Sequence, residues 1–299
     1  MSNLLNKKIS KKCFFVVLIG LLIILTNIIS YKIGEINIKS RCLLLLKKNK
    51  TKKGKINKNL IKVPLFVNPA IVKHRSRFRF SYDSPDILYS LRKDEDLDKI
   101  VLNSKNRFDL VLKLMFWTRK QWNPSIPNPY PPINAKVILR LIRTHQTGGF
   151  CAQYNYVFVQ AVQSFGIKAR YITINHHEVT EVFIKELSKW VCFDPLYAAY
   201  YINKNNTPLS VYEIYKRVKG NEKILIISKY KVKNIKTHLN KFKNFSVWLK
   251  NDHISSPINF KDIEYYKVYY YEQIDELPAY VFFKHLTTSS LKDLYYIPK

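Results

Sequence analysis

Between residues 151 and 194 the hydrophobic period of the chain changes from helical to alternating, and this limits the possible folds more than any other feature. Tyr154, Val157, Phe158, Ala161, Val162 and Phe165 recur at i, i+3, i+4, i+7, i+8 and i+11, which predicts an amphipathic helix opening at Cys151. Gly166 stands where a left-handed cap would end it. Three strand-like runs follow, over residues 168–175, His177–Ile184 and Lys189–Asp194. Pairing the last two as a hairpin through residues 184–188, with the helix packed against them, predicts an α+β fold of helices on an antiparallel sheet.

The residues at the ends of these elements are chemically reactive types. Cys151 follows the pair Gly148-Gly149 and would sit at the helix start. There the unpaired N–H groups and the positive end of the helix dipole favour thiolate over thiol. The same N–H groups can receive the oxyanion of a tetrahedral intermediate. A nucleophilic thiol needs a base, and the base needs an orienting group. Strand alternation puts His177, Val179, Glu181 and Phe183 on one face, and Trp190, Cys192 and Asp194 on one face of the next run. In the hairpin, His177 and Asp194 then lie close together, far from the turn.

The segments GGFCAQYNYVFVQAVQSFGIKARYITIN, HHEVTEVFI and KWVCFDP together resemble the core of the transglutaminase-like superfamily. The pattern is a helix-opening Cys151, the turn Gly166-Ile167-Lys168-Ala169-Arg170, His177 with Glu181-Val182, and Trp190 with Asp194-Pro195. It covers about residues 117–209. The resemblance implies a papain-like core, a Cys151–His177–Asp194 triad, and chemistry that needs no metal or cofactor. It also leads to an auxiliary oxyanion donor upstream of the cysteine, for which Trp117 and Gln121, one helical turn apart, are the two candidates. The alternative for Trp117 is core packing. Two departures stand out: Glu178-Val179 follow the histidine where the family often has a small residue and then Trp, and the histidine is doubled by His176. His177 alone has Glu181-Val182 at the family spacing.

Other reactive residue types read as structural. Cys192 is a core thiol, Glu181 makes a structural hydrogen bond, and Arg170 pairs with a carboxylate. The four cysteines show no C-x-x-C spacing, which argues against a disulfide framework or a structural zinc site. The segment 105–122 has helical spacing, Asn134 caps a helix through about residue 144, and Ser84-Pro85-Asp86 reads as a further helix start. Ser210 with Glu213 forms a capping box, and residues 224–299 read mainly as strands.

Composition matters chiefly at the N-terminus. The formal charge is +30, and residues 1–80 hold nineteen Lys or Arg against one acid, Glu35. An apolar run from Cys13 to Ile29 follows Lys7, Lys8, Lys11 and Lys12 and leads to no small-residue cleavage site. It reads as an uncleaved, single-pass transmembrane signal anchor with the body extracytoplasmic. The expected organisation is a membrane anchor at 1–31, a basic spacer at 32–80, a transglutaminase-like core at 81–220 and a strand-rich extension at 221–299. Residues 47–80 are suited to anionic lipid, whereas no zinc-finger, helix-turn-helix or RNP-type cue points to nucleic acid. The function expected is a membrane-anchored cysteine-dependent amide hydrolase or acyltransferase acting on a protein or peptide amide. The alternatives are an inactive binding module of the same fold and a basic membrane-surface adaptor.

Overall fold

The computed structural model describes residues 78–270, 286–296 and 298. The expected anchor at 1–31, and all but the end of the spacer at 32–80, lie outside these residues. Among the described residues no helix is long and apolar enough to cross a membrane.

The change of period falls where the sequence puts it. The helix runs Cys151–Gln163, and Tyr154, Val157, Phe158, Ala161 and Val162 on it are fully buried. Gly166 terminates the segment at φ +72°, a conformation that favours glycine. In chain order the strands are β1 (Ser81–Tyr82), β2 (Ala169–Ile174), β3 (His177–Ile184), β4 (Lys189–Asp194), β5 (Ala199–Ile202), β6 (Leu225–Ser228), β7 (Phe245–Trp248), β8 (Lys250–Asn251), β9 (Lys267–Tyr270) and β10 (Leu286–Thr288). Eight of them form one sheet in the order β10-β9-β7-β2-β3-β4-β5-β6, and β1 pairs with β8 separately. The pairs β2–β3 and β3–β4 are antiparallel, with Ile174 opposite His177 and Ile184 opposite Lys189. Connections this short allow no parallel crossover. The sheet departs from the antiparallel expectation at one edge, where β10 runs parallel to β9.

Both faces of the sheet are covered, so its central strands are apolar on both sides. Val182, Ile184, Val191 and Phe193 pack with the helices Arg107–Lys120, Ala135–Arg143 and Cys151–Gln163. Val179, Phe183, Trp190 and Cys192 pack on the other face with the helix Val211–Lys219, Phe78, Phe80 and Leu294. Each such side chain contributes about 1.5–3 kcal/mol by leaving water. The second face also holds a charge pair, Arg170 on β2 opposite Glu181 on β3, at 2.6 Å with neither side chain exposed. Val211 N–H and the Tyr295 hydroxyl donate to the Glu181 carboxylate, and the Leu294 carbonyl accepts from Arg170. These partners offset the desolvation of two buried charges.

The capping signals also appear. Asn134 and Ser210 accept the N–H groups of Val137 and Glu213. Two local expectations change. Residues following Ser84-Pro85 form a turn, and the helix is Tyr89–Asp94 without a side-chain cap. The tail is less uniformly stranded than expected, because Asn234 caps the helix Ile235–Asn240 through Thr237 N–H.

Candidate active site

Three elements converge at one end of the sheet. Cys151 is the first residue of its helix, His177 the first of β3 and Asp194 the last of β4. The cysteine helix covers the face of Val182 and Phe193, whereas alternation puts His177 with Val179 and Glu181 on the other. The thiol and the imidazole therefore meet around the end of the sheet, not across its face. His177 Nε2 lies 2.6 Å from Asp194 Oδ2, with both side chains buried. The Cys151 side chain lies close enough to the same ring to act on its charge. Because Nε2 faces Asp194, Nδ1 is the nitrogen left for sulfur.

The electrostatics follow from this chain of contacts. Burial works against a charged His177 ring, yet Asp194 and the Cys151 side chain lift its pKa to about 10. Burial likewise works against an ionised Asp194, but His177 beside it holds the carboxyl below its ordinary value. The two groups favour each other's charged forms. Cys192 is the contrast: burial pushes its thiol well up, and it has the character of an inert core residue.

The loop before the cysteine is fixed by close packing. A Cβ on Gly149 would meet Ile142 Cδ1 and Trp122 Nε1 at 2.7 Å each, and one on Gly148 would meet the Ile126 carbonyl at 2.4 Å. The glycines thus answer to close packing, and neither has a positive φ. The Trp122 indole donates to the Gly149 carbonyl at 3.1 Å and stacks on Tyr154, whose hydroxyl donates to the Trp122 carbonyl. At the helix start, the Gln153 side chain accepts Phe150 N–H at 3.0 Å. The first-turn N–H groups of Cys151 and Ala152 have no carbonyl ahead of them in the helix, so they are free of intrahelical bonds and of the kind that can receive an oxyanion.

Of the two upstream candidates, Trp117 is buried in the core between helices and sheet. Gln121 donates to the Trp117 carbonyl at 3.0 Å and accepts from Arg143 at 2.6 Å, so both ends of its amide are held. His176, the other histidine of the pair, is exposed in the turn at φ +53°.

Several residues of the site carry no sequence signal of their role. Asn155, fully buried, donates to the Cys151 and Glu178 carbonyls at 2.8 and 2.7 Å and accepts from Thr180 at 2.5 Å. It ties the nucleophile's helix to the strand of the base. Its spacing of four from Cys151 is the one available clue. Tyr130 and Tyr197 flank the thiol closely enough for its charge to act on their hydroxyls. Behind Asp194 lie Tyr201 and His238. Ligand-type atoms of His177, Asp194 and His238 fall within 4.8 Å of one another, a spacing compatible with a divalent ion. Hydrogen bonds already use them, however: His177 Nε2 and Asp194 Oδ2 bind each other, and His238 Nε2 lies 2.6 Å from the Tyr201 hydroxyl.

In comparisons with known proteins, residues 97–195 match the family model of the transglutaminase-like superfamily. The matched stretch begins before the quoted motifs and ends at Pro195, so it contains Cys151, His177 and Asp194 but neither Tyr201 nor His238. No curated protein matches the chain.

Proposed function

With residues 97–195 forming a transglutaminase-like superfamily domain, we propose that the protein is a cysteine-dependent amide hydrolase or acyltransferase. The observation that carries this reading is the buried His177–Asp194 contact at 2.6 Å, with the Cys151 side chain near the same ring. Cys151 sulfur attacks an amide carbonyl and its proton passes to His177 Nδ1. A carbon–sulfur bond forms, and the carbonyl oxygen becomes an oxyanion beside the helix-start N–H groups. Collapse breaks the carbon–nitrogen bond, and His177 delivers the proton to the leaving amine. Asp194 keeps the ring in the tautomer that presents Nδ1 to sulfur and stabilises its cationic form. The thioester is resolved by water, as in a peptidase or amidase, or by an amine, as in a transamidase. The apolar run at 13–29 serves as the membrane anchor in this reading, and residues 47–80 contact anionic lipid.

The test is alkylation of the reduced protein with iodoacetamide at pH 6, read by peptide mass. Cys151 is expected to react at least tenfold faster than Cys192, with the advantage lost in His177→Ala. Equally slow labelling of the two cysteines would overturn the proposal. Incubating the wild type with a peptide amide mixture and a biotinylated primary amine then separates the outcomes. Amine incorporation indicates transamidation, and amine-independent ammonia or peptide release indicates hydrolysis.

A further inference from the structure

The Asp194 carboxylate is fully buried and has more partners than the proposed triad supplies. Oδ2 takes the His177 Nε2 contact at 2.6 Å, and Oδ1 accepts Leu196 N–H at 3.1 Å. The Tyr201 side chain, on β5, lies beside the same carboxylate. Behind it, His238 of the helix Ile235–Asn240 puts Nε2 2.6 Å from the Tyr201 hydroxyl and 3.9 Å from Asp194 Oδ2. The two rings stack at 8° interplanar angle, and His238 is buried.

Counting donors fixes the direction of this chain. An ionised carboxylate only accepts, and with Tyr201 beside it the hydroxyl hydrogen is best directed at Asp194. That leaves the hydroxyl oxygen as acceptor, and His238 must donate from Nε2. His238 Nδ1 is buried without a partner. A buried lone pair is the cheaper state there than a buried N–H with no acceptor. The ring is therefore the neutral Nε2–H tautomer. Burial favours the same state, lowering the His238 pKa to about 4; His177 and Lys241 reinforce this and Asp194 opposes it. The groups facing the ring are Asp194, His177, Tyr197, Tyr201 and Lys241.

We propose that Tyr201 and His238 are positioning residues of this active site, a neutral donor chain that holds Asp194 oriented and ionised so that His177 presents Nδ1 to Cys151. The inference rests on the reading of Cys151 and His177 as nucleophile and base. Neither residue touches the reacting atoms. Their effect passes through the carboxylate, which in turn sets the charge and tilt of the imidazole. A second positive charge at His238 would compete with His177 for the same carboxylate, which is why the neutral tautomer suits the site. Both residues lie beyond the family match, so this part of the site is supplied by the strand and helix that follow it.

The test uses the full chain in three forms: wild type, Tyr201→Phe, which removes one oxygen without changing ring volume, and His238→Gln, which keeps a donor. The readouts are the histidine-ring NMR titration of His177, the rate of Cys151 alkylation by iodoacetamide from pH 5 to 9, and the thermal melt. Tyr201→Phe is expected to lower the His177 pKa by about one unit and slow alkylation at pH 6 about tenfold, with His238→Gln close to wild type. If Tyr201→Phe shifts the melt but leaves the titration and the alkylation profile unchanged, the residues are merely structural and the inference fails. In the wild type alone, ring nitrogen shifts must report His238 as the Nε2–H tautomer at pH 7. An Nδ1–H or cationic ring there overturns the donor chain even if the variants do not fold. Wild-type Cys151 reacting no faster than Cys192 would instead refute the underlying reading of nucleophile and base.

Discussion

Glu178 follows His177 on β3, and the two face opposite sides of the strand. Its Oε1 accepts the Thr173 hydroxyl at 2.9 Å, while Oε2 is shut off from solvent without a partner. Burial raises its pKa to about 7, with Lys267 and His177 pulling the other way. The folded state then binds more protons than the unfolded chain between pH 4.5 and about 7. Stability is present below this window and falls as pH rises through it. Glu178→Gln removes the titration, so the variant should melt above wild type at pH 8 and close to it at pH 4.5. The gain at pH 8 is at most roughly 3 kcal/mol; an equal offset at both pH values would show that the carboxyl does not titrate in the window. The sequence marks Glu178 only as a departure from the family pattern, because burial of one carboxyl oxygen depends on β2, on Lys267 and on neighbours remote in the chain. His177 and Asp194 are legible because local alternation and one hairpin place them. His238 and Tyr201 are not, since no local period relates a short, Asn-capped helix to a strand more than thirty residues earlier.

At the scale of elements, the site depends on how the cysteine helix is held against β3, and apolar packing alone leaves that joint free to slide. Asn155 fixes it with two hydrogen bonds across the joint, to the Glu178 carbonyl and from the Thr180 hydroxyl, and a third to the Cys151 carbonyl of its own helix. Asn155→Ala removes the side-chain partner of the Glu178 carbonyl and of the buried Thr180 hydroxyl across the joint. Each orphaned group costs about 1–3 kcal/mol, though relaxation recovers part of it. The variant should lose about 2–4 kcal/mol in denaturant unfolding and also slow Cys151 alkylation, because the sulfur is no longer registered against His177. A stability loss with unchanged alkylation would show that the joint does not set the register. The helix itself is readable from its periodicity, and β2, β3 and β4 fall within a residue of their expected bounds. What periodicity misses is the polar residue on the apolar face, since Asn155 counts against the pattern until its three partners are known. Trp117 and Gln121 illustrate the converse. Their spacing suits a common face, but the structure places one in the core and engages both ends of the other's amide with neighbouring groups.

At the scale of the molecule, the folded unit is larger than the stretch that carries the family match. Phe78 and Phe80 are buried ahead of that stretch, and Asp83 accepts N–H groups from Ile254 and Ser255. At the other end the backbone of Leu294 and Tyr296 accepts from Arg170 and Trp190, and the Tyr295 hydroxyl donates to Glu181. Losing the C-terminal segment therefore removes one supporting partner from each member of a buried ion pair, leaves the Trp190 indole N–H without its acceptor, and uncovers the apolar face around Leu294. Two orphaned donors at about 1–3 kcal/mol each, with the lost apolar burial, amount to an appreciable part of the 5–15 kcal/mol that holds a typical domain folded. A chain ending at residue 285 should be insoluble, or melt at least 10 °C lower. A chain beginning at residue 64 keeps every contact named here and should retain both the melt and the preferential alkylation of Cys151. Beginning at residue 84 instead removes Phe78, Phe80 and the β1–β8 pairing, and should fall between the two. If the chain ending at 285 melts like the full-length protein, the ion pair finds other partners and the C-terminal segment is only an accessory. If the chain beginning at 64 loses Cys151 reactivity, residues before 64 contribute to the site directly.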